Sequence, residues 1–85
     1  MYHPVYTRNF EKEIKKIPKK EQIKILEKIE SILENPRQFN IKLETTKPVV
    51  YRLRAGEYRI FFGLDDREKI IKIAKVTRRT TQTYR

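Results

Sequence analysis

The chain has 85 residues, a length that fits one domain with a single small core. It contains no cysteine, which excludes disulfides and thiolate metal sites, and its one histidine, His3, gives no support for a metal centre. The net charge of +10 favours polyanionic ligands such as nucleic acid.

The first seventeen residues predict a strand followed by a short helix. The segment "MYHPVYT" alternates and is rich in β-formers, and Pro4 favours an edge position in a sheet. Either Thr7 or Asn9 supplies the side chain that caps the helix. The apolar stripe of this helix, at spacings of four and three, consists of Phe10, Ile14 and Ile17.

A second, longer helix follows Pro18 and ends at "ENP", where Pro36 stops it. Two amphipathic helices with a tight break between them form a helical hairpin. We expect the second helix to face the core with Ile23, Leu26, Ile29, Ile32 and Leu33. Residues 37–48 are polar and bounded by prolines, so we predict a loop.

The remaining segments predict three strands: "VVYRLR" (49–54), "YRIFFGL" (58–64) and "IIKIAKV" (70–76). Gly56 allows a tight hairpin turn between the first two, and "DDREK" forms the second turn, where Asp65 and Asp66 are typical turn residues. The predicted fold is one α+β domain over residues 1–85, with the order β-α-α-β-β-β and an antiparallel sheet under a helical hairpin.

The alternation of side chains places three arginines on one face of this sheet. Because the apolar positions of these strands must lie beneath the helices, Arg52, Arg54 and Arg59 project from the uncovered side. A slip of one residue would bury the arginines, so the register is firm. The last strand is ambiguous, because Ile71 and Ile73 oppose Ile70, Ala74 and Val76, a pattern that fits a central strand covered on both sides. The alternation therefore leaves the direction of its lysines open.

The positive charge is concentrated in the second half of the chain. Residues 1–36 carry eight lysines and arginines against six acids, whereas residues 37–85 carry thirteen against five. One arginine can bind two oxygens of a phosphate at once, and Tyr84 is suited to stack on an unpaired base. The alternative is a solvated face that charge keeps soluble, but lysine would serve that role equally well.

The stretches "ILENP", "YRLRAGEYRIFF" and "KVTRRTTQTYR" resemble the RelE/ParE superfamily of toxins from type II toxin–antitoxin modules. The resemblance covers essentially the whole chain and is closer to the RelE branch, whose members cleave mRNA in the ribosomal A site. Members of the ParE branch share the fold, poison DNA gyrase and lack the nuclease residues.

The resemblance implies roles for individual residues. Arg52 and Arg54 lie beside the scissile phosphate at positions often held by lysine, and Arg59 holds that phosphate. Arg79 stabilises the transition state or protonates the leaving oxygen, and Tyr84 stacks on a base. Further contacts to the RNA are expected from Arg78, which can exchange roles with Arg79, and from Lys72, Lys75 and Arg85.

The implied activity is a metal-independent, cofactor-free endoribonuclease in which the RNA 2′-hydroxyl attacks its own phosphate. Arginine is a poor general base, so the group that removes the proton is open, with Lys72, Lys75, water and ribosomal groups as alternatives. The implied partners are the ribosome, mRNA and an acidic, RelB-like antitoxin that forms a hetero-oligomer with the toxin, in the cytoplasm and away from membranes. The alternatives are a gyrase inhibitor without catalysis and a non-catalytic RNA-binding module.

Overall fold

Two helices lie on one face of a five-stranded sheet in the computed structural model, which describes residues 1–38 and 41–78. In chain order the elements are β1 (His3–Tyr6), α1 (Arg8–Lys15), α2 (Lys19–Ser31), β2 (Lys42–Thr46), β3 (Val49–Ala55), β4 (Tyr58–Asp65) and β5 (Ile70–Arg78). The strand order is β1-β5-β4-β3-β2. β1 runs parallel to β5, and all other neighbours are antiparallel.

The predicted α+β class, the helical hairpin and the three C-terminal strands are confirmed, and one strand is added. The predicted loop over residues 37–48 is wrong for β2, which pairs with β3 at the sheet edge through a register shift between Leu43 and Thr45. β2 is exposed at its described positions and therefore carries little of the apolar pattern that marks a strand. The predicted edge position of Pro4 is confirmed, since β1 ends the strand order.

The helices begin where the sequence provides caps and a break. The side-chain oxygen of Thr7 accepts a hydrogen bond of 3.1 Å from the backbone N–H of Phe10, and Pro18 precedes α2. The predicted stripe of α2 is partly wrong, because Ile23 is 51% and Leu26 38% exposed. The buried side chains are Ile25, Ile29 and Ile32, a spacing of four and three that presents one helical face to the sheet.

The core lies between this helical layer and the sheet. Its fully buried side chains are Phe10, Ile25, Ile29, Ile32, Leu53, Ile60, Phe62, Ile71, Ile73 and Val76. Burial of each contributes about 1.5–3 kcal/mol before chain entropy is subtracted, which fixes the parity of β3 and β4 as predicted.

A register shift in β5 explains how Ile73 and Val76 are both buried. Phe61 pairs with Lys75 and Phe62 with Ile73, so Ala74 is an extra residue in the strand. The carbonyl of Ala74 accepts a hydrogen bond of 2.7 Å from the hydroxyl of Thr7. The shift leaves the lysines of β5 on the face away from the helices.

Candidate nucleic-acid interface

The sheet surface opposite the helices carries a cluster of cations near the β3–β4 turn. Pairing between strands brings five side chains onto this surface, which we call the cationic face: Arg52, Arg54, Arg59, Phe61 and Lys75. Arg52 pairs with Phe61, and Phe61 pairs with Lys75, so these three form one row across β3, β4 and β5. The predicted convergence of arginines from both strands of the hairpin is therefore present.

Arg54 and Arg59 form the next row and lie directly opposite one another. Side chains at opposed positions have Cβ atoms about 4.5–5.5 Å apart, and two like charges there are destabilising. The two-residue turn between Ala55 and Tyr58 fixes this register, with Gly56 at φ 62° as its first residue. Among the described residues, neither arginine forms an ion pair. An anion between them would relieve the repulsion.

Arg52 differs from this pair because it already has a carboxylate partner. Its Nη1 lies 3.4 Å from Oε1 of Glu44 on β2, with the Arg52 side chain 30% exposed. The sequence pattern does not mark Glu44 as a site residue, because its segment is predicted as loop rather than as β2. Glu44 brings a proton-accepting group to the border of the cationic face.

The lysines of β5 lie on the same side of the sheet as these arginines. Lys75 places its Nζ 5.0 Å from the centroid of the Phe61 ring. Lys72 pairs with Gly63 on β4 and with Val5 on β1, further along the strand. The register shift at Ala74 therefore determines which way Lys72 and Lys75 point, which the alternation of side chains alone did not.

Arg78 is separated from the other predicted contact residues. It pairs with Tyr58, a core residue, and therefore projects to the helical side of the sheet. Its Nη2 donates a hydrogen bond of 3.1 Å to Oε1 of Glu57. The remaining predicted site residues, Arg79, Tyr84 and Arg85, lie outside the described residues, and their roles stay predictions.

A second arginine site, which we call the carboxylate clamp, lies at the other end of β4. Arg37 donates two hydrogen bonds of 2.9 Å to the carboxylate of Asp66 and one of 3.3 Å from its Nε to the hydroxyl of Tyr51. The hydroxyl of Tyr2 donates to the same carboxylate at 2.6 Å. The clamp ties the segment after α2 to β3, to the β4–β5 turn and to the N-terminus.

These contacts shift the ionisation of the clamp residues. The hydrogen bonds from Arg37 and Tyr2 lower the pKa of Asp66 to about 2. The hydrogen bond to Asp66 raises the pKa of Tyr2, and the same carboxylate raises the pKa of Arg37. Asp66 therefore binds a distant arginine, while Asp65 acts as the predicted turn residue and accepts a 3.0 Å hydrogen bond from the N–H of Glu68.

The described part of the chain offers neither a metal site nor a helix that could span a membrane. Its histidine, aspartate and glutamate side chains do not gather into a group of three that could hold a metal ion. Neither α1 nor α2 has the length and apolar character needed to cross a membrane.

Comparison with known proteins identifies the family. A model of the family described as "ParE toxin of type II toxin-antitoxin system, parDE" matches residues 5–83, so the chain belongs to this family of toxins. No curated protein matches closely enough to indicate a relative.

Solved structures of RelE toxins are similar to this chain. RelE in the archaeal RelE–RelB complex from Pyrococcus horikoshii is 28% identical with a TM-score of 0.77, over 95% of this chain and 98% of that one. The isolated Escherichia coli RelE toxin has a TM-score of 0.82 at 23% identity, covering 96% and 88%. The RelBE2 toxin–antitoxin complex of Mycobacterium tuberculosis has a TM-score of 0.79 at 20% identity, over 92% of this chain and 98% of that one. The last two likenesses concern the fold, and together these findings confirm a toxin of the RelE/ParE superfamily.

Proposed function

We propose that the protein is a ribosome-dependent endonuclease that cleaves mRNA in the A site. The observation that carries this proposal is the pair Arg54 and Arg59, two guanidiniums opposed across a hairpin with no ion pair among the described residues. A phosphodiester held there would neutralise both, and the phosphorane formed during cleavage carries one more negative charge than the substrate. Donors aimed at that charge stabilise the transition state more than the ground state.

Cleavage begins with the 2′-hydroxyl of the substrate itself. Its oxygen forms a bond to the adjacent phosphorus, the bond from phosphorus to the 5′-oxygen breaks, and the products are a 2′,3′-cyclic phosphate and a 5′-hydroxyl. The nucleophile arrives with the RNA, so the protein contributes in-line positioning and charge stabilisation. No metal ion takes part in these steps.

Glu44 is the proposed acceptor of the 2′-hydroxyl proton. Its carboxylate oxygens can accept a proton, unlike the guanidinium of an arginine, and Oε1 lies 3.4 Å from Nη1 of Arg52 at the border of the cationic face. The leaving 5′-oxygen needs a proton in return. The resemblance gives that role to Arg79, which stays a prediction.

Substitution of Glu44 tests this assignment. Glu44→Gln keeps the shape of the side chain but removes the proton acceptor, so cleavage should fall about 10²–10⁴-fold, the usual contribution of a general base. The control is Glu57→Gln, which also removes the carboxylate partner of an arginine. That arginine is Arg78, which lies on the helical side of the sheet. Equal activity of the Glu44→Gln variant and the wild-type protein would exclude Glu44 as the base.

An acidic antitoxin is the proposed partner. The charge of +10 attracts an acidic chain, and the similar structures include RelE–RelB complexes. Ile23 and Leu26 lie exposed on the outer surface of α2 and offer an apolar contact beside its lysines. Ile23→Ser should therefore weaken antitoxin binding without changing mRNA cleavage, as measured by titration calorimetry and a translation assay.

Mapping the 5′ ends of mRNA in a translation reaction with the purified toxin tests the proposed activity. We expect new ends within the codon in the A site, and none when ribosomes are absent. Intact mRNA together with double-strand breaks in DNA would instead identify a gyrase poison, the alternative that the resemblance to the ParE branch implies. RNA binding with neither kind of cleavage would identify a non-catalytic RNA-binding module.

A further inference from the structure

Phe61 is an aromatic ring in the middle of the cationic face. It is half-buried, whereas the other aromatic side chains of β4, Tyr58 and Phe62, are buried on the opposite side of the sheet. A single half-buried apolar side chain is ordinary at a protein surface. The neighbours of this ring, rather than its exposure, give it significance.

Cations flank the Phe61 ring on both sides along its row. Arg52 is its partner on β3 and Lys75 its partner on β5, with the lysine Nζ 5.0 Å from the ring centroid. Arg59 lies two residues earlier on β4 and therefore shares the same face. Proteins that bind single-stranded nucleic acid combine these two elements, a positively charged track for the backbone and an aromatic side chain on which a base stacks.

The surface beside the ring is open in one direction. The next residue of β4 on this face is Gly63, and a Cβ placed there would meet a single described atom within 4 Å, the carbonyl oxygen of Val49 at 3.8 Å. No side chain of β4 therefore rises next to Phe61 on that side. A base stacked on the ring would extend over the glycine, beside Lys72, which is the partner of Gly63 on β5.

We propose that Phe61 is a base-stacking residue, which holds the nucleotide next to the phosphate bound by Arg54 and Arg59. Arg52 and Lys75 would then contact the backbone on either side of the stacked base. The inference rests on the proposed function in one respect, that the ligand is single-stranded RNA. It adds a contact to a base within the sheet, at a position other than the Tyr84 expected from the resemblance.

Binding of a short RNA that cannot be cleaved tests this contact separately from catalysis. The probe is a hexanucleotide with 2′-O-methyl groups, compared with an abasic oligomer of the same length and charge. Phe61→Leu keeps an apolar side chain but loses the flat ring, so it should weaken binding of the hexanucleotide about 5- to 100-fold and leave binding of the abasic oligomer unchanged. Phe61→Tyr should restore binding. Val5→Ala, on β1 of the same sheet face, serves as the matched control and should bind both probes as the wild-type protein does.

Fluorescence provides a second readout, because the chain contains no tryptophan. Phe61→Trp introduces a single tryptophan whose emission should be quenched when the hexanucleotide stacks on it, but not when the abasic oligomer binds. The inference is overturned if Phe61→Leu binds the hexanucleotide as tightly as wild type, if it weakens both probes equally, or if the wild-type protein binds neither. If mRNA remains intact in translation reactions while hexanucleotide binding still depends on Phe61, the proposed nuclease activity fails and this inference stands.

Discussion

Two arginine sites lie at opposite ends of β4, and they have opposite electrostatic surroundings. In the carboxylate clamp, Arg37 is satisfied by both oxygens of Asp66 and by the hydroxyl of Tyr51. On the cationic face, Arg54 and Arg59 oppose one another and form no ion pair within the described residues. An arginine whose charge is neutralised by a carboxylate of the protein therefore stabilises the fold. An arginine without such a carboxylate is available to bind an anionic ligand.

The largest expected effect is on catalysis at the unmatched site. Arg59→Ala removes a donor aimed at the phosphate, and mRNA cleavage should fall about 10²–10³-fold. The melting temperature should stay level or rise, because a repulsive pair has been relieved. A translation assay and a thermal melt measure the two properties. An Arg59→Ala variant that cleaves normally would remove this residue from the catalytic site.

The matched site should respond in the opposite way. Arg37→Ala leaves Asp66 without its bidentate partner and should lower the melting temperature while mRNA cleavage persists. The control is Arg67→Ala, which also removes one exposed arginine, in this case from the β4–β5 turn that contains Asp66. A loss of cleavage in Arg37→Ala without a loss of stability would mean that the clamp belongs to the functional site.

Acid should dismantle the clamp. Asp66 has its pKa lowered from 3.8 to about 2, so the folded state binds this proton more weakly than the unfolded chain does. The stabilisation is complete above pH 3.8 and is lost as the pH falls through about 2. The difference in melting temperature between the wild-type protein and Asp66→Asn should therefore be constant near neutrality and shrink across this range. A difference that does not change with pH would contradict the ionic character of the clamp.

The smallest expected effect is a gain of stability on the cationic face. Arg54→Thr removes the like-charge contact with Arg59 and should stabilise the fold by roughly 0.2–1 kcal/mol, measured by chemical denaturation. Lys72→Thr is the control, because it introduces the same β-branched residue on the same face opposite Gly63. If both variants gain equally, strand propensity rather than charge repulsion explains the change.

The two faces of the sheet also differ in how far the sequence predicts them. Burial of Leu53, Ile60 and Phe62 forces the parity of the central hairpin, so the outward direction of its arginines follows from local alternation. The edge strand β2, and Glu44 with it, escapes prediction because the exposed strand buries too little apolar surface to leave a pattern.

Features that depend on distant residues could not be predicted from local pattern. Ala74 is the extra residue of β5 only because of the register in which the neighbouring residues Ile73 and Lys75 pair with β4, and its carbonyl accepts a hydrogen bond from Thr7. The clamp joins Arg37 to Asp66 across the fold, while the spacing around each residue indicates only a loop or a turn. On α2, apolar residues occupy more than one side of the helix, and only packing against the sheet selects Ile25 over Ile23.

The dependence of RNA binding on salt tests the contrast between the two arginine sites most directly. Arg59→Ala and Arg37→Ala each remove one positive charge from the same +10 chain, so they differ in location and not in net charge. Each phosphate contact to single-stranded RNA contributes about 0.7 to the slope of log affinity against log salt concentration. We expect the slope for the uncleavable hexanucleotide to drop by about 0.7 in Arg59→Ala and to stay at the wild-type value in Arg37→Ala. Equal slopes in all three proteins, or a drop confined to Arg37→Ala, would show that the cationic face does not bind the phosphate.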